Sequence, residues 1–162
     1  MAIRVIICSD SHGRSDGLEY LKKTYPDADY FIHCGDIELP KYMLGGFAAV
    51  QGNNDFYNEF PQQLVLEIGM HRILVVHGHR DLFWRSFDAL CGKASALGCD
   101  IVCFGHTHIY HDSVEDGIRM LNPGSIWHNR DGSPASYMIM TLDGENIDVQ
   151  KMTYEPKKTN RG

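Results

Sequence analysis

The sequence lacks a basic excess, a long apolar run and a paired-cysteine pattern, and each lack excludes something. Lys and Arg number 15 against 21 Asp and Glu, a formal charge of −6. A long nucleic-acid footprint needs a basic surface, so no long nucleic acid is expected as a partner. A small phosphorylated substrate stays compatible, because bound metal ions make a site locally positive whatever the net charge. No apolar stretch approaches the roughly 18 residues that a membrane helix needs. Arg4 is followed by only a few apolar residues before Ser9-Asp10, which is not a signal-peptide pattern. The five cysteines are odd in number and include no C-x-x-C. That argues against a disulfide framework and for a reducing cytoplasm. Cys8 and Cys34 read as small buried apolar residues.

What is present is an ordinary globular composition, 43% hydrophobic and 22% charged over 162 residues. It suffices for a single domain with a real core. Residues 1–162 are expected to form that one domain, with polar residues 155–162 as a flexible tail.

Ile3 to Cys8 is nearly continuous apolar sequence, the mark of a strand buried on both faces. A helix follows, capped by Ser15 or Asp16 and stopped before Pro26, with Leu18, Leu21 and Tyr25 as its buried stripe. A strand, a loop and a covering helix open an α/β layered fold. Further strands are expected over 29–33 and 47–51, with a short helix or loop over 38–46. A hairpin over 63–68 and 72–76 follows, then a helix over 81–97 carrying Leu82, Phe83, Phe87, Leu90 and Leu97. Residues 100–104 form one more strand. Two hairpins end the chain, over 114–121 and over 136–142 with 147–154.

The strand ends carry the chemistry. Cys8 leads into Asp10 and His12, His33 into Asp36, and Phe47–Gln51 into Gly52-Asn53-Asn54-Asp55. The strand over 72–76 leads into His77-Gly78-His79, and that over 100–104 into Gly105-His106-Thr107-His108. Side chains two apart at a strand end point to one side, so Asp10 and His12, or His106 and His108, can face one point. In open α/β sheets, sites form outside the carboxyl ends of the strands. Carboxylates and imidazoles gathered there without a cation would be crowded and partly desolvated. A divalent ion removes that cost. Oxygen and imidazole donors without thiolate disfavour a closed structural zinc site and favour catalytic Mn, Fe, Zn, Co or Ni. Seven ligands (Asp10, His12, Asp36, Asn53, His77, His106 and His108) exceed what one tetrahedral ion takes. Two ions sharing a carboxylate are the economical expectation. His33, His71, His111 and His128 read as strand, turn or surface residues. His79 lies two residues from His77 and could touch a phosphate or stand behind the ligands.

The ordered set D-x-H, G-D, G-N-x-D, H-G-H and G-H-T-H resembles the calcineurin-like metallophosphoesterase superfamily. Within it, the chain is most similar to the small bacterial and archaeal phosphodiesterases, whose N-P-G-S loop stands here at 122–125. The resemblance implies a four-layer αββα sandwich, two mixed β-sheets flanked by helices, with a dinuclear centre at the strand ends. Carried over, Asp10, His12, Asp36 and His108 hold one ion. Asp36, Asn53, His77 and His106 hold the other, with Asp36 as the bridge. Manganese is foremost among the ions expected. The implied activity is hydrolysis of a small phosphate ester, a diester first, by in-line attack of a metal-bound hydroxide. Asp36, Asn53, Asn54 and Asp55 are its candidate catalytic residues, with His79. Many relatives carry G-N-H-[DE] where this chain has Asn54, which donates a hydrogen bond but delivers no proton at neutral pH. The family often forms dimers or tetramers. The same fold also serves as a non-catalytic subunit of the retromer sorting complex, where the ligands are altered, so a protein-binding scaffold is the alternative.

Overall fold

The first strand, β1 (Ile3–Cys8), parts its side chains between two cores. Val5 and Ile7 face one way and join Ile73, Val75, Ile101, Cys103, Met138 and Met140. Ile6 and Cys8 face the other and meet Leu18, Leu21, Tyr137 and Ile139. This is the period-two alternation of a strand buried on both faces. The computed structural model describes residues 2–55, 59–82 and 86–155.

The other elements are α1 (Asp16–Thr24), β2 (Tyr30–His33), a 3₁₀ turn (Lys41–Leu44), β3 (Phe47–Ala49), β4 (Gln63–Ile68) and β5 (His71–Val76). They continue with α2 (Asp88–Ala96), β6 (Ile101–Cys103), β7 (His111–Glu115), β8 (Ile118–Asn122), β9 (Ser136–Asp143) and β10 (Asn146–Thr153). One mixed sheet runs β10-β9-β1-β2-β3 and the other β4-β5-β6-β8-β7. The strands β1, β2 and β3 are parallel, as are β5, β6 and β8; the remaining pairs, β1–β9, β9–β10, β4–β5 and β7–β8, are antiparallel.

A core drawn from both sheets lies between them. A second packs Leu18 and Leu21 of α1 on the first sheet's outer face. A third packs Leu90, Cys91 and Ala94 of α2 against Leu74, Val76, Val102, Phe104 and Met120. The layers are therefore helix, sheet, sheet, helix, as expected. At Glu115-Asp116-Gly117, Asp116 and Gly117 both take positive φ, 52° and 79°. That is the mirror-image turn whose twist suits a two-residue hairpin.

Three local expectations need correction. The helix over 81–97 forms only as Asp88–Ala96. Gly78 O takes the N–H groups of Asp81 and Leu82 in a separate turn, and Leu82 and Phe87 still pack on the third core. Their apolar spacing is thus met by two segments, not one helix; Phe83 lies outside the described residues. Ser15 stands at the N-cap of α1 but makes no side-chain capping bond. The hairpin over 114–121 begins earlier, at His111, because β7 follows β8 along its whole length, His111 pairing with Asn122. Of the expected tail, 156–162 lies outside the described residues.

Candidate metal centre

Parallel strands deliver their carboxyl ends to one edge, and the loops there are tied to one another through the backbone. Asp10 N donates to Gly35 O at 3.0 Å, His12 N to Asp36 O at 3.0 Å, and Gly105 N to His77 O at 2.9 Å. The chain turns sharply to aim its ligands. Asp10, His12, Asp36, Glu38, His106 and His108 all take positive φ, between 47° and 71°. Each such residue costs roughly 1–3 kcal/mol and persists only where its surroundings over-determine it. Two glycines permit the close approach. A Cβ on Gly52 would land on the carboxylate and N–H of Asp36, and one on Gly105 would strike Ser9 Oγ and Asp10 Oδ2.

The donor atoms of the expected ligands converge. Asp10 Oδ1 lies 3.3 Å from His108 Nε2, 3.8 Å from His12 Nε2 and 3.9 Å from His77 Nε2. Asp36 Oδ2 lies 3.4 Å from His77 Nε2 and 3.8 Å from His12 Nε2. Asn53 Oδ1 stands 2.9 Å from His77 Nε2 and 3.2 Å from His106 Nδ1. Two groupings emerge, Asp10 with His12 and His108, and Asp10 with Asp36 and His77. Asp10 belongs to both groupings; Asp36, the expected bridge, belongs to the second and comes within 3.8 Å of His12 Nε2 in the first.

The hydrogen bonds behind the rings fix what faces inward. His77 Nδ1–H donates to Cys34 O at 2.8 Å, His108 Nδ1–H to His128 O at 2.8 Å, and His12 Nδ1–H to Glu38 Oε2 at 2.7 Å. Each Nε2 is left as a lone pair aimed into the centre. His12 Nε2 and His108 Nε2 face each other at 3.0 Å, and the buried Asp10 Oδ1 has no hydrogen-bond partner. Lone pairs and carboxylate oxygens crowded without donors are what a divalent cation satisfies. The residues fit such an ion.

The electrostatics agree. Burial alone would push the carboxyl of Asp10 up, but the neighbouring imidazoles of His108 and His77 and the Ser9 hydroxyl hold it below its ordinary value. Asp36 likewise resists burial, through His77 and the two bonds from Asn54, and is held low. Burial draws the His77 imidazole down, yet Asp36 and Asp10 outweigh it and its affinity for a proton is raised. A proton there shows the pull that a metal ion would feel.

The remaining candidates sit close by in other roles. Asn54 donates its backbone N–H to Asp36 Oδ1 at 2.9 Å and its amide to Oδ2 at 3.0 Å. Asp55 points away from the donor cluster. Its carboxylate accepts from the N–H groups of Gly52 and Glu38 at 2.7 Å, Ile37 at 2.9 Å and Asp36 at 3.0 Å. His79 packs beside the rings of His77 and His106, at 5.5 and 6.3 Å, with its buried Nδ1 unpartnered. Burial and the charge of His77 lower its proton affinity. His33 is buried, with Nε2 on the Ser11 hydroxyl and Nδ1 taking the Gly35 N–H; His71 is held by Asp100 and Gly144 O.

Sequence reasoning missed the supporting residues. Glu38 orients His12, and the Ser9 hydroxyl bonds Asp10 Oδ2 at 2.7 Å. Asn122 ties Gly105 O to Thr107, while Ser125 Oγ donates to Asp10 O. The N-P-G-S motif was the available signal: it is a brace between two ligand loops.

The description "Calcineurin-like phosphoesterase superfamily domain" matches residues 3–145. The chain belongs to that superfamily. It is 39% identical over 151 residues to the probable metallophosphoesterase YsnB of Bacillus subtilis, covering 91% of this chain and 89% of that one. A predicted phosphoesterase of Streptococcus pneumoniae TIGR4, known as a crystal structure, is similar with a TM-score of 0.89 and 32% identity, over 94% of this chain and 90% of that one. Vacuolar protein sorting 29 of Cryptosporidium parvum shares the fold, with a TM-score of 0.74 at 22% identity, over 94% of this chain and 99% of that one. Membership makes the protein a metallophosphoesterase by family, and the two groupings above are candidate sites for a divalent metal.

Proposed function

We propose that the protein is a dinuclear phosphodiesterase acting on a small phosphate ester, with manganese as the first candidate metal. The observation that carries this is the inward-facing pair of lone pairs on His12 and His108 beside the unpartnered Asp10 carboxylate oxygen. Asp10, His12, Asp36 and His108 would hold one ion, and Asp36, Asn53, His77 and His106 the other. When bound, such ions acidify a water ligand, orient the phosphoryl group and neutralise its oxygens. The chain's own residues do the rest. Glu38, Cys34 O and His128 O set the ring orientations. Asn54 holds Asp36 in place through two bonds, and Asp55 fixes the loop that carries it. His79 stands at the edge of the centre, where it could meet a phosphoryl oxygen or the leaving group.

The retromer-like scaffold is the competing reading, and the likeness to Vps29 gives it weight at the level of fold. It goes with altered ligands; here all seven expected ligand residues are present and close. Among the described residues no helix is long and apolar enough to cross a membrane. Five free cysteines, all buried, fit the proposed cytoplasmic location. The test is hydrolysis by Mn-loaded protein over a panel of diesters, monoesters and nucleotides, beside an Asp36→Asn variant. Turnover of diesters that is lost in the variant supports the reading. A protein that binds metal but hydrolyses nothing in the panel favours the scaffold.

A further inference from the structure

Beside the metal centre lies a cavity of about 580 Å³, lined by Leu82, Phe87, Phe104, Ile109 and Arg130 together with His106 and Thr107. His106 therefore has two faces to serve. Its Nδ1 meets Asn53 in the metal centre, and its ring forms part of the cavity wall. The volume is within the range of small-ligand sites, and the lining has their character, mostly apolar with few polar groups. Phe87 and Phe104 meet edge to face at 5.6 Å, and His111 packs on Phe87 at 4.8 Å, so the wall is aromatic. Ile109 at the rim is 44% exposed. Two other cavities, of about 370 and 340 Å³, lie along α1 and contain none of the ligand residues.

A phosphodiester brings two organic groups to the metals, and only one need leave. We infer that this cavity receives one ester group of the substrate, a planar aromatic or heteroaromatic group of nucleoside size. The aromatic wall offers stacking and edge contacts that an aliphatic group cannot match. Arg130 has no carboxylate partner among the described residues, and its backbone N–H is fixed to His108 O at 3.0 Å. It is anchored to a ligand loop while its guanidinium is free to stack on a ring or meet a second anionic substituent. The cavity thus selects among esters that the metal centre would otherwise treat alike. The inference rests on the phosphodiesterase reading for the placement of the phosphoryl group, but not on turnover.

The experiment measures binding, not rate. Two non-hydrolysable probes of equal charge, each with only P–C bonds to its organic groups, are compared by calorimetry on Mn-loaded protein: methyl(phenyl)phosphinate and dimethylphosphinate. The phenyl probe should bind about tenfold more tightly, a modest gain for one buried ring. Phe87→Ala and Ile109→Ser should each shrink that preference while leaving the methyl probe unchanged. The rim variant Ile109→Ser guards against a failure of Phe87→Ala to fold. A 4-carboxyphenyl probe should gain further in wild type and lose that gain in Arg130→Gln. Equal affinity for phenyl and methyl probes overturns the inference, as does a preference that survives both wall variants. Failure of both probes to bind overturns it too. Selective binding without hydrolysis of any ester would leave the cavity assignment standing and remove the enzyme reading; hydrolysis without selectivity would do the reverse.

Discussion

His12 Nε2 and His108 Nε2 face each other across 3.0 Å, on rings whose Nδ1–H bonds are already committed to Glu38 and to His128 O. As neutral imidazoles neither ring has an N–H to give the other here, so the pair suits a cation. Adding Mn to chelated protein should therefore raise its melting temperature. A ligand that binds only the native state at a hundredfold excess over its Kd contributes about 2.7 kcal/mol. Differential scanning calorimetry checks this, with elemental analysis expected to find two ions per chain. Unchanged melting on adding Mn, or saturation at one ion, would contradict the dinuclear centre.

Asp55 should matter more for structure than its place in a ligand motif suggests. One carboxylate satisfies four backbone N–H groups, those of Asp36, Ile37, Glu38 and Gly52. Hydrogen bonds to a charged group contribute about 1.5–3 kcal/mol each but do not add in full, so Asp55→Ala should lose about 3 kcal/mol. Urea denaturation in chelator measures it. Asp55→Asn should lose less, because one oxygen acceptor remains. A loss in Asp55→Ala no larger than that of an exposed surface substitution would show that other groups hold the loop.

His33 predicts a pH dependence. Burial drives its imidazole from the ordinary 6.5 down to about 4. The unfolded chain takes up a proton near 6.5 while the folded one resists until about 4. Stability from this residue is complete above the unfolded value and is lost as pH falls through that window. The sum is about 3 kcal/mol for a shift of this size. His33→Gln should be less stable at pH 7, yet lose less on acidification from pH 6.5 to 4. Parallel stability curves for the two proteins would sink the assignment.

Asn54 predicts a leaving-group effect. Its amide is spent on Asp36 and offers no proton. Departure of a poor leaving group needs protonation, a form of help that typically contributes about 10²–10⁴-fold. Wild type should favour activated aryl esters in kcat, and Asn54→His should help alkyl esters more than aryl ones. The comparison belongs in kcat across a leaving-group series, because the aromatic cavity beside His106 would act through KM. No dependence on leaving-group pKa, with chemistry rate-limiting, would point to another proton donor, and His79 is the nearest candidate.

The sequence by itself determined the strands, the class of fold and which residues gather at the candidate metal centre. Nearly continuous apolar runs such as Ile3–Cys8 read as strands buried on both faces, and the polar residues that end them then lie at the sheet edge. That logic is local, so it was legible. The single helix expected over 81–97 failed because apolar spacing is satisfied equally by a helix or by a turn followed by a shorter helix. Only packing on Phe104 and its neighbours chooses between them. Roles within the centre were likewise a tertiary matter. Asp10 and Asp36 look equivalent as motif letters, yet Asp10 Oδ1 is the buried oxygen without a partner, while both oxygens of Asp36 receive bonds from Asn54. Asp55 reads in the sequence as a candidate catalytic residue, and in the structure it clamps the loop, because its four donors come from segments up to 19 residues away. The tautomers of His12, His77 and His108 are fixed by Glu38, Cys34 O and His128 O, contacts between distant loops that no spacing along the chain encodes.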